Sequence, residues 1–277
     1  MTVGDVLKAS TEYLARKGVP SPRVDGEHLV ARALGVSRLD LYLQHDRPLT
    51  DAEVAAAREL VRRRGTREPL AYVVGDWDFR RLTLTTDRRA LIPRPETEIV
   101  VDRCLALLDG DGSPEVLDVG TGSGAIALAI ASEHPGVHVV AIDASEDAVA
   151  LAAENAERTG LADRVTLGRH DLLTGLPGGP YDLVVSNPPY VLPEEIETLE
   201  PEVRDWEPRT ALVGRGATEA IVSAAPGVLR PGGVLVLEVG DGAASAVEGL
   251  LAEAGFQRVV RTPDLTLRER VVEGRWE

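Results

Sequence analysis

Residues 116–125 read VLDVGTGSGA, and this stretch decides the fold. Its first four residues are apolar apart from Asp118, as in a short buried strand, and a helix-forming run begins at Ile126. A strand that passes through a glycine turn directly into a helix is the opening unit of nucleotide-binding α/β folds. Glycines suit the turn because they adopt backbone angles, and permit a close ligand approach, that a Cβ would prevent.

The alternation of strand and helix continues to the end of the chain. Hydrophobic periodicity predicts strands near 115–119, 137–142, 163–168, 181–186, 233–239, 256–261 and 268–274. It predicts helices from 95 to about 108 and near 123–133, 145–159, 215–229 and 242–254. This order indicates a doubly wound, mostly parallel seven-stranded α/β sheet of the Rossmann-like type.

Two classes of ligand fit the glycine loop equally well. Gly120, Gly122 and Ala125 satisfy the dinucleotide pattern, whereas Gly120, Gly122 and Gly124 fit the nucleoside loop of methyltransferases. Asp143 follows the second strand and could accept hydrogen bonds from both hydroxyls of a ribose. The alternative for Asp143 is a helix cap, but Ser145 is available for that role.

Asp171 and Leu172 follow the third strand at its carboxyl end, which is the edge where open α/β sheets bind their ligands. Asp171 could pair with an amino group of adenine, and Leu172 could cover the face of the ring. The alternative for Asp171 is an ordinary acidic loop residue.

The fourth strand delivers Asn187-Pro188-Pro189-Tyr190 to the same edge, next to the glycine loop if the strand order reverses between strands one and four. Proline fixes its own φ and pushes the preceding residue into extended backbone, so the turn holds Asn187 rigidly. The Asn187 side-chain oxygen and the Pro188 carbonyl are two acceptors, and a planar NH₂ group presents two donors.

An amide or exocyclic amine is a poor nucleophile because its lone pair is delocalised. Two acceptors on its hydrogens would localise that pair and aim it at the methyl group of a sulfonium. Such orientation can supply about 7–11 kcal/mol of a bimolecular barrier, so we expect no metal. Tyr190 would wall the pocket and pack on the planar group.

The first 68 residues are predicted to form a small helical bundle. Thr2 with Asp5 and Thr50 with Glu53 resemble capping boxes, and Ser21-Pro22 and Gly35 mark the ends of a second helix. From Ala71 to Thr85 the spacing of apolar residues changes to the alternation typical of a β-hairpin. Residues 69–90 are therefore interpreted as a hairpin linker. A basic run at residues 62–67 is interpreted as a solvated helix end.

Composition narrows the class of protein. The chain has 30 basic and 45 acidic residues, and the acidic excess lies after residue 75 (10 acidic and 12 basic residues up to there), which argues against a general nucleic-acid binder. The single Cys104 excludes an internal disulfide and a cysteine-built metal site. Without a long apolar run or an apolar segment after Met1, the chain is expected in the cytoplasm.

At this point the chain resembles the HemK/PrmC family of S-adenosylmethionine-dependent N5-glutamine methyltransferases that modify peptide chain release factors. The resemblance covers nearly the whole chain, through residues 18–23, 68–72, 92–98, the glycine loop, 187–190, 207–212 and 264–272. The proline-rich segment at 92–98 is the most specific of these. Asn-Pro-Pro-Tyr alone would also resemble DNA adenine and rRNA guanine methyltransferases.

The resemblance implies a class I methyltransferase domain at residues 91–277 and a substrate-recognition domain at residues 1–68. Its substrate would be the glutamine of a Gly-Gly-Gln loop on the release factor, with no membrane partner and no direct nucleic-acid target. The residues that bind the cofactor, released as S-adenosylhomocysteine, would be Gly120, Thr121, Gly122, Ser123, Gly124, Asp143, Asp171, Leu172 and Asn187. The catalytic residues would be Asn187, Pro188, Pro189 and Tyr190. Ala243 stands where the family often has a glutamine, so any role of that glutamine is absent here.

Two rival functions remain open. A nicotinamide-dependent dehydrogenase would share the glycine pattern and Asp143, although no acid for hydride transfer is evident near the fourth strand. A methyltransferase acting on adenine or guanine in nucleic acid would share the turn at Asn187, but the acidic balance of that half of the chain opposes it.

Overall fold

The structure, a computed structural model, describes residues 1–108, 112–214 and 216–277. These form two compact units. The first is Met1–Asp76 together with Leu199–Trp206, and the second is Trp77–Thr198 together with Glu207–Glu277. The short segment Leu199–Trp206 thus joins a unit that ends more than a hundred residues earlier in the chain, which no local pattern indicates.

The elements are numbered in chain order. The helices are α1 (Val3–Arg16), α2 (Pro22–Leu34), α3 (Arg38–Leu43), α4 (Asp51–Arg64), α5 (Leu70–Val74), α6 (Thr97–Leu107), α7 (Ala125–Glu133), α8 (Glu146–Thr159), α9 (Pro201–Arg204), α10 (Arg209–Leu212), α11 (Ala217–Ala224) and α12 (Ala244–Glu253). The strands are β1 (Asp76–Phe79), β2 (Leu82–Thr85), β3 (Glu115–Val119), β4 (His138–Asp143), β5 (Val165–Arg169), β6 (Tyr181–Ser186), β7 (Leu229–Glu238), β8 (Gln257–Pro263) and β9 (Glu269–Arg275).

The first unit is the helical bundle that the sequence predicts. Both predicted capping boxes form, at Thr2 for α1 and at Thr50 for α4, and Gly35 ends α2 in the left-handed conformation. Ser21 makes no side-chain cap, so α2 begins with Pro22 alone. Helices α1, α2 and α4 pack around buried side chains that include Leu14.

The capping box of α4 permits a test of this unit's stability. The Thr50 hydroxyl accepts from the backbone N–H of Glu53, and the Glu53 carboxylate accepts from the backbone N–H of Thr50. We expect Thr50→Ala to lower the free energy of unfolding by about 1 kcal/mol, because it leaves a helix N–H without its acceptor. Urea denaturation measures the change. Thr50→Ser, which keeps the hydroxyl, is the control, and equal losses in both variants would contradict the assignment.

The interpretation of the basic run at residues 62–67 as a solvated helix end is wrong. The Arg64 side chain is only 5% exposed and pairs with Asp25 at 2.7 Å and with Glu202 of α9 at 2.8 Å. Arg67 also pairs with Glu202, and Arg63 with Glu68. Asp25 and Glu202 come from distant parts of the chain, so local charge patterning could not reveal that Arg64 and Arg67 are neutralised within the unit.

The second unit contains the predicted seven-stranded sheet, in the order β5-β4-β3-β6-β7-β9-β8. All neighbours are parallel except β9, which runs antiparallel to β7 and β8. One face is covered by α6 and α7, and the other carries a separate apolar cluster with α11 and α12. The fold class predicted from the sequence is therefore confirmed.

The strand order reverses at β3, as the position of the Asn-Pro-Pro-Tyr turn requires. Strand β3 has β4 on one side and β6 on the other, and Val119 pairs with Ser186. Ser186 in turn pairs with Leu237 of β7. The residues that follow β3, β4 and β6 are thereby brought to one edge of the sheet, where open α/β sheets bind ligands.

The predicted strand at residues 71–74 is wrong, because these residues form the short helix α5. Ala71, Tyr72 and Val73 are all buried, so tertiary packing on successive residues outweighs the β propensity of the segment. Gly75, with φ of 83°, ends the helix. The hairpin itself is β1 and β2, and its Phe79 and Leu84 lie in the core of the second unit.

Smaller differences concern element ends. Strand β7 begins at Leu229, four residues before the expected start, and the helix expected at 215–229 is α11 followed by a single 3₁₀ turn. Residue 215, where that helix was expected to begin, lies outside the described residues.

Candidate active site

A cavity of about 460 Å³ opens at the carboxyl edge of the sheet within the second unit. It brings together most of the site residues expected from the sequence. Its lining includes Ile92, Arg94, Thr97, Gly120, Thr121, Gly122, Ser123, Asp143, Leu172, Asn187 and Pro189.

The glycine loop shapes one wall of this cavity. Gly120 and Gly122 have φ of 75° and 57°, angles that other residues rarely adopt. A Cβ at Gly120 would meet no protein atom within 4 Å, and one at Gly122 would meet only Ala90, at 3.8 Å, so either would occupy ligand space. Gly124 has another role, since a Cβ there would lie 3.2 Å from the Cβ of Ala152 in α8.

The backbone amides of the loop are largely used by the protein itself. Gly120 and Thr121 both donate to the Ile142 carbonyl, and Gly122 donates to Asp143. These three N–H groups are therefore engaged within the protein and do not point at a ligand. A loop that acts by its shape suits a nucleoside better than a diphosphate, which is normally cradled by such N–H groups.

Asp143, at the end of β4, is held by two backbone groups. One carboxylate oxygen accepts from the N–H of Gly122 and the other from the N–H of Ser145, both at 2.9 Å. Each oxygen keeps further acceptor capacity, because an ionised carboxylate has about four lone-pair positions. Ser145 caps α8, as expected, so Asp143 is not needed as the helix cap.

The two residues after β5 differ in placement. Leu172 lines the cavity, whereas Asp171 is not among the lining residues. The Asp171 carboxylate accepts from the backbone N–H of Leu173 at 3.0 Å and so caps a 3₁₀ turn. This capping contact positions the loop that carries Leu172.

Asn187 and Pro189 line the cavity directly after β6. The side-chain NH₂ of Asn187 donates to the Thr97 hydroxyl at 3.4 Å. The side-chain oxygen of Asn187 can therefore accept a hydrogen bond from a ligand. Pro188 and Tyr190 are not among the lining residues. The Tyr190 ring packs against Gly240, where a Cβ would approach it to 3.0 Å.

The proline-rich segment is tied down by a buried acid. Glu207 accepts from Arg94 at 2.5 Å and from the backbone N–H of Ile92 at 3.3 Å. Burial raises the pKa of Glu207 above its usual value, and the Arg94 charge opposes that rise. Because Ile92 and Arg94 line the cavity, this pairing fixes the wall that faces the glycine loop.

Two buried polar side chains behind the glycine loop, those of Asn155 and Asp118, could not be identified as part of the site from the sequence. The Asn155 amide of α8 donates to the Ser123 carbonyl and exchanges hydrogen bonds with the backbone of Thr85. Asp118 accepts from the Thr121 hydroxyl at 2.7 Å, and burial raises its pKa to about 7. Neither an Asn in an amphipathic helix nor an Asp in an apolar strand indicates such a role by itself, so the roles of Asn155 and Asp118 follow only from the partners that the structure shows.

Two features are absent from residues 1–108, 112–214 and 216–277, which the structure describes. No helix there is both long and apolar enough to span a membrane. No group of three or more His, Cys, Asp or Glu side chains there is arranged to hold a metal ion.

The fold and the cavity are those of a methyltransferase with a doubly wound domain. The PrmC N-terminal domain model matches residues 5–75, and the methyltransferase small domain model matches residues 102–200. A release factor glutamine methyltransferase from Geobacter sulfurreducens is 43% identical over 99% of this chain and 96% of its own length. The chain belongs to the family of release factor glutamine methyltransferases.

Other comparisons agree with this assignment. A release factor glutamine methyltransferase from Deinococcus radiodurans is 40% identical over 99% of both chains. A 16S rRNA N2 methyltransferase from T. thermophilus, solved in complex with AdoMet and guanosine, aligns with a TM-score of 0.54 at 20% identity, over 73% of this chain and 50% of that one. The second likeness concerns the fold alone.

Proposed function

We propose that this protein transfers a methyl group from S-adenosylmethionine to the side-chain amide nitrogen of the glutamine in the Gly-Gly-Gln loop of peptide chain release factors. The observation that carries the proposal is the position of Asn187. Its amide lines the same cavity as the glycine loop and Asp143, so an acceptor for a planar NH₂ group lies in the pocket that suits a nucleoside.

The residues present fit this cofactor. A cavity of about 460 Å³ is within the range of about 300–1,000 Å³ that small-molecule sites occupy. Asp143 would accept the ribose hydroxyls, Gly120 to Gly124 would cradle the nucleoside, and Leu172 would cover the adenine. Asp171 would act next to the adenine through the loop that it caps.

When bound, the cofactor supplies a methyl group on a positively charged sulfur. The chain's own part is to hold the glutamine amide: its two N–H donors would meet the Asn187 side-chain oxygen and the Pro188 carbonyl. Pro189 stiffens the turn, and Tyr190 would border the acceptor. As the nitrogen takes the methyl group, one N–H proton leaves to water. Orientation is the main source of catalysis here, so the reaction needs no metal.

We assign recognition of the release factor to the helical unit. Its arginines around Arg64 are paired with carboxylates of the same unit, so this cluster offers no unpaired basic run to a phosphate backbone. Together with the net charge of −15 of the chain, this pairing favours a protein substrate over the nucleic-acid alternative.

Mass spectrometry of the substrate tests the proposal. Purified protein, S-adenosylmethionine and a bacterial release factor are incubated, and DNA and rRNA are offered in parallel reactions. We expect one added methyl group on the glutamine of the Gly-Gly-Gln peptide, undiminished by a metal chelator. A methyl group on adenine or guanine, with an unmodified peptide, would contradict the proposal.

A further inference from the structure

A buried carboxylate lies directly behind the catalytic turn. Glu238 is the last residue of β7, next to β6, and Ser186 pairs with Leu237 immediately before Asn187 and Glu238. Glu238 is 3% exposed and does not line the cavity. A carboxylate at such a position costs free energy unless it is hydrogen-bonded, so its presence needs a physical reason.

The partners of Glu238 are two residues of the cavity wall. The side chains of Thr97 and Asn187 lie close enough to its carboxyl group that both lower its pKa. Asn187 also donates to the Thr97 hydroxyl at 3.4 Å. The second carboxylate oxygen of Glu238, Oε2, is buried and has no hydrogen-bond partner among the described residues.

We propose that Glu238 is a positioning residue, whose carboxylate holds the Asn187 amide in the one orientation that turns its oxygen toward the substrate. An ionised carboxylate can only accept hydrogen bonds, so the NH₂ end of Asn187 must face it. The oxygen end must then face the cavity. Without this constraint an asparagine amide can rotate by 180° and present donors to the glutamine NH₂ group, which would repel it.

The proposal rests on the proposed function for its substrate, but the orientation of Asn187 is a property of the protein alone. Thr97, the first residue of α6, supports it as a second partner. Its hydroxyl accepts from Asn187. By donating to Glu238, the same hydroxyl would link the three side chains in one chain of hydrogen bonds.

The ionisation of Glu238 makes the orientation of the Asn187 amide sensitive to pH. Burial has the largest effect and raises the pKa of Glu238 to about 7. The negative charge of Glu96 also raises this pKa, whereas the Thr97 side chain and the positive charge of Arg270 lower it. Among the described residues, Tyr190 also interacts electrostatically with Glu238. Below the pKa the neutral carboxyl group can donate, so the Asn187 oxygen can turn inward. We therefore expect kcat to rise with pH through about 7, as Glu238 ionises.

Glu238→Gln imitates the neutral state and tests the proposal. We expect kcat to fall by roughly 10- to 100-fold, because the reacting amide is no longer held in place, with KM and the affinity for S-adenosylhomocysteine nearly unchanged. The rise of kcat through neutral pH should disappear. Thr97→Val should lower kcat in the same way, and Thr97→Ser, which keeps the hydroxyl, should restore it.

A spectroscopic measurement needs no substrate. The side-chain ¹⁵N–¹H signal of Asn187, assigned by its loss in Asn187→Ala, should titrate near pH 7 in the unmodified protein and stay constant in Glu238→Gln. If the protein methylates no release factor, the proposed function fails, but this titration would still stand for the orientation of Asn187.

Glu273→Gln is the matched control, since Glu273 is a buried strand carboxylate that pairs with Arg103 and not with the cavity wall. It should alter stability and leave the pH profile in place. A pH-independent Asn187 signal in the unmodified protein would overturn the proposal. So would a Glu238→Gln variant with unchanged kcat, or one whose losses match those of Glu273→Gln.

Discussion

Asn187→Ala is expected to lower kcat for glutamine methylation by about 100- to 1,000-fold, the usual cost of removing one oriented polar group from a transition state. The variant keeps the glycine loop and Asp143, so its affinity for S-adenosylhomocysteine should stay close to that of the unmodified protein. Single-turnover kinetics measures the first quantity and calorimetric titration the second.

Asn187→Gln separates the chemistry of the group from its position. It keeps the same amide but moves it by one methylene, and a displacement of about 1 Å can cost about 100-fold in rate. Both variants should therefore be slow. Full turnover by Asn187→Ala, or equal loss of cofactor affinity and rate, would refute the assigned role.

Asp143→Ala is expected to produce the largest loss of cofactor affinity. It removes the acceptors proposed for two ribose hydroxyls, and hydrogen bonds to charged groups contribute about 1.5–3 kcal/mol each. The dissociation constant for S-adenosylhomocysteine should rise by roughly 100- to 10,000-fold. The variant also frees the N–H groups of Gly122 and Ser145, so the loop loses two supports.

Asp147→Asn is the control for this prediction. Asp147 is an exposed acid in the first turn of α8, only a few residues from Asp143, and it does not line the cavity. It should leave the dissociation constant unchanged. If Asp143→Ala bound S-adenosylhomocysteine as tightly as this control, the ribose assignment would be wrong.

The sheet and the edge that holds the site could be predicted because their signals are local. A buried strand, a glycine turn and a helix start follow one another directly at residues 116–126, and two prolines restrain Asn187 whatever surrounds it. The strand order was not predicted beyond the condition that it reverse between the first and fourth strands of the sheet, which the structure meets. The local signals do not depend on distant partners.

The features that the sequence did not reveal depend on distant partners. Residues 71–74 have β-forming side chains, but burial of three successive residues makes them helical. The pairing of Arg64 with Glu202 joins positions that are 138 residues apart (202 − 64). The role proposed for Glu238 depends on Thr97 of α6 and on Asn187 at the end of β6, whose side chains lie next to its carboxyl group.

A crystal structure with S-adenosylhomocysteine and a peptide that contains Gly-Gly-Gln would show whether the Asn187 turn holds the substrate amide. It should place the glutamine amide nitrogen about 3 Å from both the Asn187 side-chain oxygen and the Pro188 carbonyl oxygen, with the cofactor ribose on Asp143. A glutamine bound away from the Asn187 turn, or an Asn187 amide that presents its NH₂ end to the substrate, would contradict it.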